Sequence, residues 1–168
     1  MELTAVVATG AGMHALWDVD AFKTIDGYEA WAEELEDDRD IGRHITAGHL
    51  VPINIRSDGT FCITVRADEG VMPQLSADEE RRVVVKSAPY RLRTSGRIGV
   101  GGIEYVGPIG ESVADGQLDP GEYDAVVHLM DYDDVEGERR DEHPDFVVTV
   151  GPHVANTVRT AIDTFERK

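Results

Sequence analysis

The sequence is short of cysteine and has no long apolar run, and each shortage excludes a class of protein. Its 168 residues contain a single cysteine, Cys62, which excludes an intramolecular disulfide and a cysteine-based zinc cluster. No run of about 18 apolar residues occurs, so we expect no transmembrane helix. The N-terminus lacks the basic and apolar regions of a signal peptide. These absences together predict a cytoplasmic protein.

Basic residues are also scarce, and this sets the kind of partner to expect. There are 33 acids against 16 bases, for a net charge of −17. Such a surface repels phosphate backbones, so direct binding of nucleic acid is not expected. It attracts basic partners, such as a nuclease or a toxin. Adaptation to a salty cell interior explains the same composition, and the composition alone favours that explanation.

Hydrophobic periodicity predicts a mainly β fold. After a first strand at 2–10, an apolar stripe with a period of 3.6 residues predicts a helical insertion at about 20–47. From Leu50 the period changes to two, and Asp58-Gly59 marks a hairpin turn. We therefore predict a single domain: an antiparallel β-sandwich with its core at 50–151 and a C-terminal helix at about 153–167. The stripe of that last helix is Val154, Val158, Ile162 and Phe165.

Sequence motifs of catalysis and of cofactor binding are missing. There is no G-x-S-x-G, Ser-x-x-Lys, H-E-x-x-H or phosphate-binding loop, so we expect no cofactor. An EF-hand starting at Asp131 fails, because Val135 and Glu136 occupy positions that need an oxygen ligand and a glycine. Clustered oxygens at Asp131, Asp133 and Asp134 still leave a calcium site open as an alternative.

The segment "MHALWD" follows the first strand and is predicted to be a loop. It contains His14 and Trp17, and a glycine-rich strand is predicted later in the chain at "RIGVGGIEYVG". Apolar residues in a loop usually plug the end of a core, but they also line binding surfaces. A site for a small ligand or an enzyme's substrate is therefore predicted near His14 and Trp17 as an alternative.

The second half of the chain resembles a known family. "RRVVVKSAPYRLRTSGRIGVGGIE", "LDPGEYDAVVHLMDYD" and "DFVVTV" lie in order between Arg81 and Val150. This layout is similar to competence protein J, an inhibitor of a DNA-uptake nuclease, and to small immunity-type proteins of bacterial toxin systems. The resemblance implies a small, β-rich, non-enzymatic bacterial protein that binds a basic enzyme.

Three hypotheses of function follow. The first is an acidic, non-enzymatic binding protein of the nuclease-inhibitor or immunity type, whose partner contacts Asp131, Asp133, Asp134 and Glu138 on an exposed loop. The second is an enzyme or small-ligand binder with its site at His14 and Trp17. The third is a calcium-binding β-sandwich module.

Overall fold

The structure is a computed structural model that describes residues 1–137 and 142–167. Across these residues ten β-strands form two sheets, and most of the chain outside them is loop and turn. The strands are β1 Glu2–Thr9, β2 Met13–Asp18, β3 Leu50–Asn54, β4 Gly59–Ala67, β5 Val83–Lys86, β6 Tyr90–Thr94, β7 Arg97–Gly102, β8 Ala114–Gln117, β9 Gly121–Met130 and β10 Phe146–Pro152. The prediction of a mainly β fold is confirmed.

The large sheet has six strands and the small sheet has four. The order in the large sheet is β1-β4-β10-β9-β5, and β6 also pairs with β9. The order in the small sheet is β3-β2-β7-β8. All the paired strands are antiparallel except β10 and β4, which run parallel. Buried side chains from both sheets join one hydrophobic cluster, which includes Leu16, Ile63, Val100, Val127 and Val148.

Three α-helices are present in the described residues: α1 Tyr28–Leu35, α2 Asp38–Ala47 and α3 Ala77–Arg82. The Asp37 carboxylate starts α2 by accepting the Asp40 N–H at 2.9 Å, and Gly48 ends it with a φ of 82°. Helices α1 and α2 both lie within the range 20–47 where a helical insertion was predicted. Helix α3 was not predicted, and it begins with a capping box in which Ser76 and Glu79 bond each other's backbone N–H. None of these helices has the length and apolar character needed to cross a bilayer.

The prediction of a C-terminal helix is wrong. Residues 153–167 contain no helix, and they form one isolated β-bridge to β6 of the large sheet and one to β3 of the small sheet. A helix needs its own backbone N–H groups, but here the Arg159 N–H donates to Pro89 O at 2.7 Å and the Phe165 N–H to Asn54 O at 2.9 Å. Three β-branched threonines also lower the helix propensity of this segment. Of the predicted stripe, Phe165 is buried, whereas Val154 is 81% exposed.

The placement of "MHALWD" in a loop is also wrong. Residues Met13–Asp18 form β2, a central strand of the small sheet whose six residues are all buried. A strand covered on both faces shows a continuous apolar run instead of an alternation, so the period-two signal is missing.

Candidate functional site

The acidic loop that the sequence singled out is largely neutralised by arginines. The Arg167 guanidinium donates to the Asp133 carboxylate at 2.7 Å, and Arg82 is ion-paired with Asp134. The Asp131 carboxylate accepts the Asp133 N–H at 2.8 Å. The Arg82 guanidinium lowers the pKa of the Asp134 carboxyl. Asp133 and Asp134 thus connect the loop to Arg167 and Arg82 in other parts of the chain, and Glu138 lies outside the described residues.

The described residues contain no cluster of side chains that fits the calcium site considered above. Within residues 1–137 and 142–167, no group of three or more histidine, cysteine, aspartate or glutamate side chains is arranged to hold a metal ion. A calcium ion needs six to eight oxygen ligands around one point. Asp133 and Asp134 instead each face an arginine.

His14 and Trp17 lie inside the core, where a ligand at the surface does not reach them. Both side chains are completely buried. The His14 Nε2 is 3.0 Å from Val7 O, so it carries the proton, and burial lowers the pKa of His14 and keeps it neutral. The Trp17 Nε1–H donates to Gly107 O at 3.3 Å. These contacts give both residues structural roles.

The glycine-rich strand β7 makes room for Trp17. A Cβ added to Gly99 would lie 2.7 Å from Cε2 of Trp17, and one added to Gly102 would lie 2.7 Å from Ala8 O. Atoms this close overlap, so only glycine fits at these positions. The glycines of β7 therefore allow close packing against Trp17 and against the backbone of β1.

A chain of polar side chains links α1 to α2. The Glu34 carboxylate lies 2.7 Å from His44 Nε2, and His44 Nδ1 lies 3.3 Å from His49 Nδ1. Burial, together with the neighbouring His44, lowers the pKa of His49. Phe22 covers the His44 ring at a centroid distance of 4.7 Å. These histidines do not line either of the two grooves described below. We therefore assign the Glu34–His44–His49 contacts a structural role, which is to hold α1 against α2.

The helical insertion carries a dense acidic surface. Residues 26–40 contain eight carboxylates and one arginine. Six of these acids are exposed and have no ion-pair partner among the described residues; we call them the acidic face: Asp26, Glu29, Glu33, Glu36, Asp37 and Asp38. The Asp40 N–H lowers the pKa of the Asp37 carboxyl, so that charge persists at neutral pH. Sequence analysis identified these acids only as part of the overall charge.

An apolar groove of about 450 Å³ lies beside the acidic face, and we call it the aromatic groove. It runs between α1 and the turn Ile103–Tyr105, and its aromatic walls are Tyr28, Trp31 and Tyr105. Tyr28 is 70% exposed and Tyr105 is 43% exposed. Tyrosine and tryptophan are enriched at the centres of protein interfaces, and charged residues are more frequent at the rim.

A second groove of about 580 Å³ lies on the other side of Trp31. Three exposed carboxylates, Glu36, Asp38 and Asp58, line it together with Arg56. The Arg56 backbone has a φ of 55°, an uncommon left-handed conformation, and its N–H donates to Gly12 O at 2.8 Å. Trp31 therefore separates a largely apolar groove from a charged one.

The fold and this surface together define a mainly β, two-sheet protein that presents an acidic helical insertion. No protein-family model and no curated protein sequence matches the chain. Two solved structures share its fold. One is crocagin biosynthetic protein J, with a TM-score of 0.58 and 18% identity over 91% of this chain and 96% of that chain. The other is ComJ from Bacillus subtilis, described as the inhibitor of the DNA-degrading activity of NucA, with a TM-score of 0.53 and 11% identity over 90% of this chain and 96% of that chain.

The predicted resemblance to competence protein J is thus confirmed at the level of the fold. Sequence analysis placed it between Arg81 and Val150, but the structural likeness covers 90% of the chain and so extends beyond that half. At these identities the likeness shows the fold alone, because one fold hosts many functions.

Proposed function

We propose that the chain is a non-enzymatic binding protein that captures a basic enzyme of the nuclease class on its acidic face. The observation that carries the proposal is that face: six exposed carboxylates without ion-pair partners among the described residues. The shared fold with ComJ, an inhibitor of a nuclease, supports the class of partner. Nuclease toxins belong to the same chemical class, so an immunity role falls within the proposal.

Electrostatics makes the acidic face suited to this task. A nuclease carries cationic groups where it holds the DNA phosphates, and unpaired carboxylates complement that surface without first breaking internal ion pairs. A net charge of −17 also accelerates the encounter with a cationic partner. The loop at Asp131, Asp133 and Asp134 is a second contact region in this proposal, weaker because two of its acids already face arginines.

The proposal extends to the architecture that supports the face. We propose that the two sheets pack face to face as a β-sandwich in a single domain, because buried residues of both sheets belong to one hydrophobic cluster. The helical insertion then stands on the sandwich as a rigid platform. A cytoplasmic site of action, where a nuclease of the same cell must be restrained, completes the proposal.

The test is inhibition of DNA cleavage by NucA and by the basic nuclease encoded nearest to the gene. Glu29→Lys, Glu33→Lys and Asp38→Lys together cancel the net charge of the acidic face and leave Asp37, the N-cap of α2, in place. We expect affinity to fall by about tenfold or more, mainly through the association rate.

The matched control reverses three exposed acids elsewhere: Glu80→Lys, Glu111→Lys and Asp119→Lys. The change in net charge is the same, so a purely global attraction predicts equal losses in both variants. Equal losses, or no inhibition of either nuclease by the unaltered protein at low salt, would contradict the proposal.

A further inference from the structure

We infer that the aromatic groove binds an arginine side chain of the basic partner. The class of the partner comes from the proposed function, whereas the choice of arginine comes from the groove itself. The groove offers aromatic ring faces, a fixed carboxylate and a mostly apolar lining, which together match a planar cation on an apolar stem.

The aromatic face is provided by Tyr28 and Trp31 on α1. Their rings stack with a centroid distance of 6.0 Å and an interplanar angle of 26°. The Trp31 Nε1–H donates to Ile103 O at 2.9 Å, which fixes the indole against the opposite wall. A guanidinium placed over such rings gains a cation–π interaction, and it stacks flat because it is planar.

The carboxylate is provided by Glu104 on the opposite wall. Its Oε1 accepts the Gly10 N–H at 2.6 Å, and its Oε2 accepts the Thr9 hydroxyl at 2.9 Å. Each carboxylate oxygen has two lone pairs, so both oxygens can accept a further hydrogen bond. Glu104 is thereby held in position for a charge-assisted bond to a guanidinium.

The charges around the groove favour a cation. No lysine or arginine is among the residues that line it in the described part of the chain. Exposed Asp26 and Glu29 flank Gly27 and Tyr28 along the chain and add negative potential at the groove's mouth. A lysine side chain would supply the positive charge but could not stack flat on the aromatic rings, because its ammonium is a compact, strongly hydrated point charge.

The indole N–H resonances of the two tryptophans allow binding in the groove to be observed directly. Trp31 donates to Ile103 O and Trp17 donates to Gly107 O, so the two indoles bond the segment 103–107. The Trp31 indole lines the groove, whereas that of Trp17 is buried. In a nitrogen–proton correlation spectrum the Trp31 indole resonance should therefore respond to a bound guanidinium, and the Trp17 resonance should move less.

The experiment is a titration of the protein with N-acetyl-arginine amide and, separately, with N-acetyl-lysine amide. We expect the arginine derivative to shift the Trp31 indole resonance saturably, with a dissociation constant on the order of 10 mM. The lysine derivative should bind at least about fivefold more weakly. Tyr28→Ala should weaken the arginine derivative by about fivefold, and Tyr28→Phe, which keeps the ring face, should restore binding.

Val6→Ala is the control, since Val6 is exposed on β1 and does not line the groove. Its affinity should equal that of the unaltered protein. Equal shifts by both amino acid amides, or an unmoved Trp31 resonance, would overturn the assignment. The titration needs no nuclease, so it tests the groove independently of the proposed function. If the arginine derivative binds but no nuclease does, the assignment of the groove is supported and only the proposed class of partner is contradicted.

Discussion

Replacing Phe165 with alanine tests the docking of the C-terminal segment. Phe165 is 3% exposed and meets Phe146 edge to face, at a centroid distance of 5.8 Å and an angle of 85°. Truncation of a buried phenylalanine costs about 3–5 kcal/mol. Because the segment ends the chain and can detach locally, we expect the lower end, about 3 kcal/mol. That is a large part of the roughly 5–15 kcal/mol typical of a domain.

The assay is urea unfolding followed by tryptophan fluorescence and by circular dichroism. A lower midpoint at an unchanged slope reports lost stability, whereas a changed slope reports a change in the surface exposed on unfolding. Val154→Ala is the control within the same segment, because Val154 is 81% exposed and should change stability by less than about 0.5 kcal/mol.

The pair of variants distinguishes the observed conformation of the segment from a helical one. On a helix, Val154 and Phe165 belong to one apolar stripe, so both truncations would destabilise the protein. A large loss for Val154→Ala, or a loss below about 1 kcal/mol for Phe165→Ala, would refute the docking described here.

Two further predictions concern the core and the pH dependence of stability. Gly99→Ala places a methyl group 2.7 Å from Cε2 of Trp17 and should destabilise by about 1–3 kcal/mol, whereas Gly110→Ala, with open space around it, should be nearly neutral in thermal unfolding. The hydrogen bonds from Arg66 hold the pKa of Glu79 at about 2, below its ordinary 4.5, against the opposing effect of burial. The stability from this pair is complete above about pH 4.5 and is lost as the pH falls toward 2, so acid titration of Glu79→Gln should show a shallower loss over that range. Parallel acid curves for the two proteins would contradict this account.

Local signals sufficed for much of the fold. An aspartate caps the start of α2 and a left-handed glycine ends it, and both residue types are known sequence signals of helix ends. The two strands on either side of Asp58-Gly59 were predicted from their alternation, but the hairpin predicted there is wrong. Strand β3 pairs with β2 in the small sheet, whereas β4 pairs with β1 and β10 in the large sheet. The alternation in β9 likewise locates a long strand.

The candidate surface was less legible. Sequence analysis chose the acids at 131–134 because they follow a strand in a cluster, but it had no means of locating Arg82 and Arg167, which are far away in the chain. The density of carboxylates at 26–40 was a usable signal for the acidic face. No sequence signal indicated the aromatic groove, because the groove forms only where the turn at 103–105 meets α1.

The sequence by itself determined the charge, the mainly β class and the elements whose signals lie within a few residues. Capping, turn chemistry and periodicity act over that range, so they predict an element correctly where no distant contact outweighs them. Tertiary structure decided the rest: that Met13–Asp18 is a central strand, that residues 153–167 form no helix, and which carboxylates remain unpaired. In each case the deciding partner is distant in the chain, and burial or an ion pair with that partner outweighs the weak local preference.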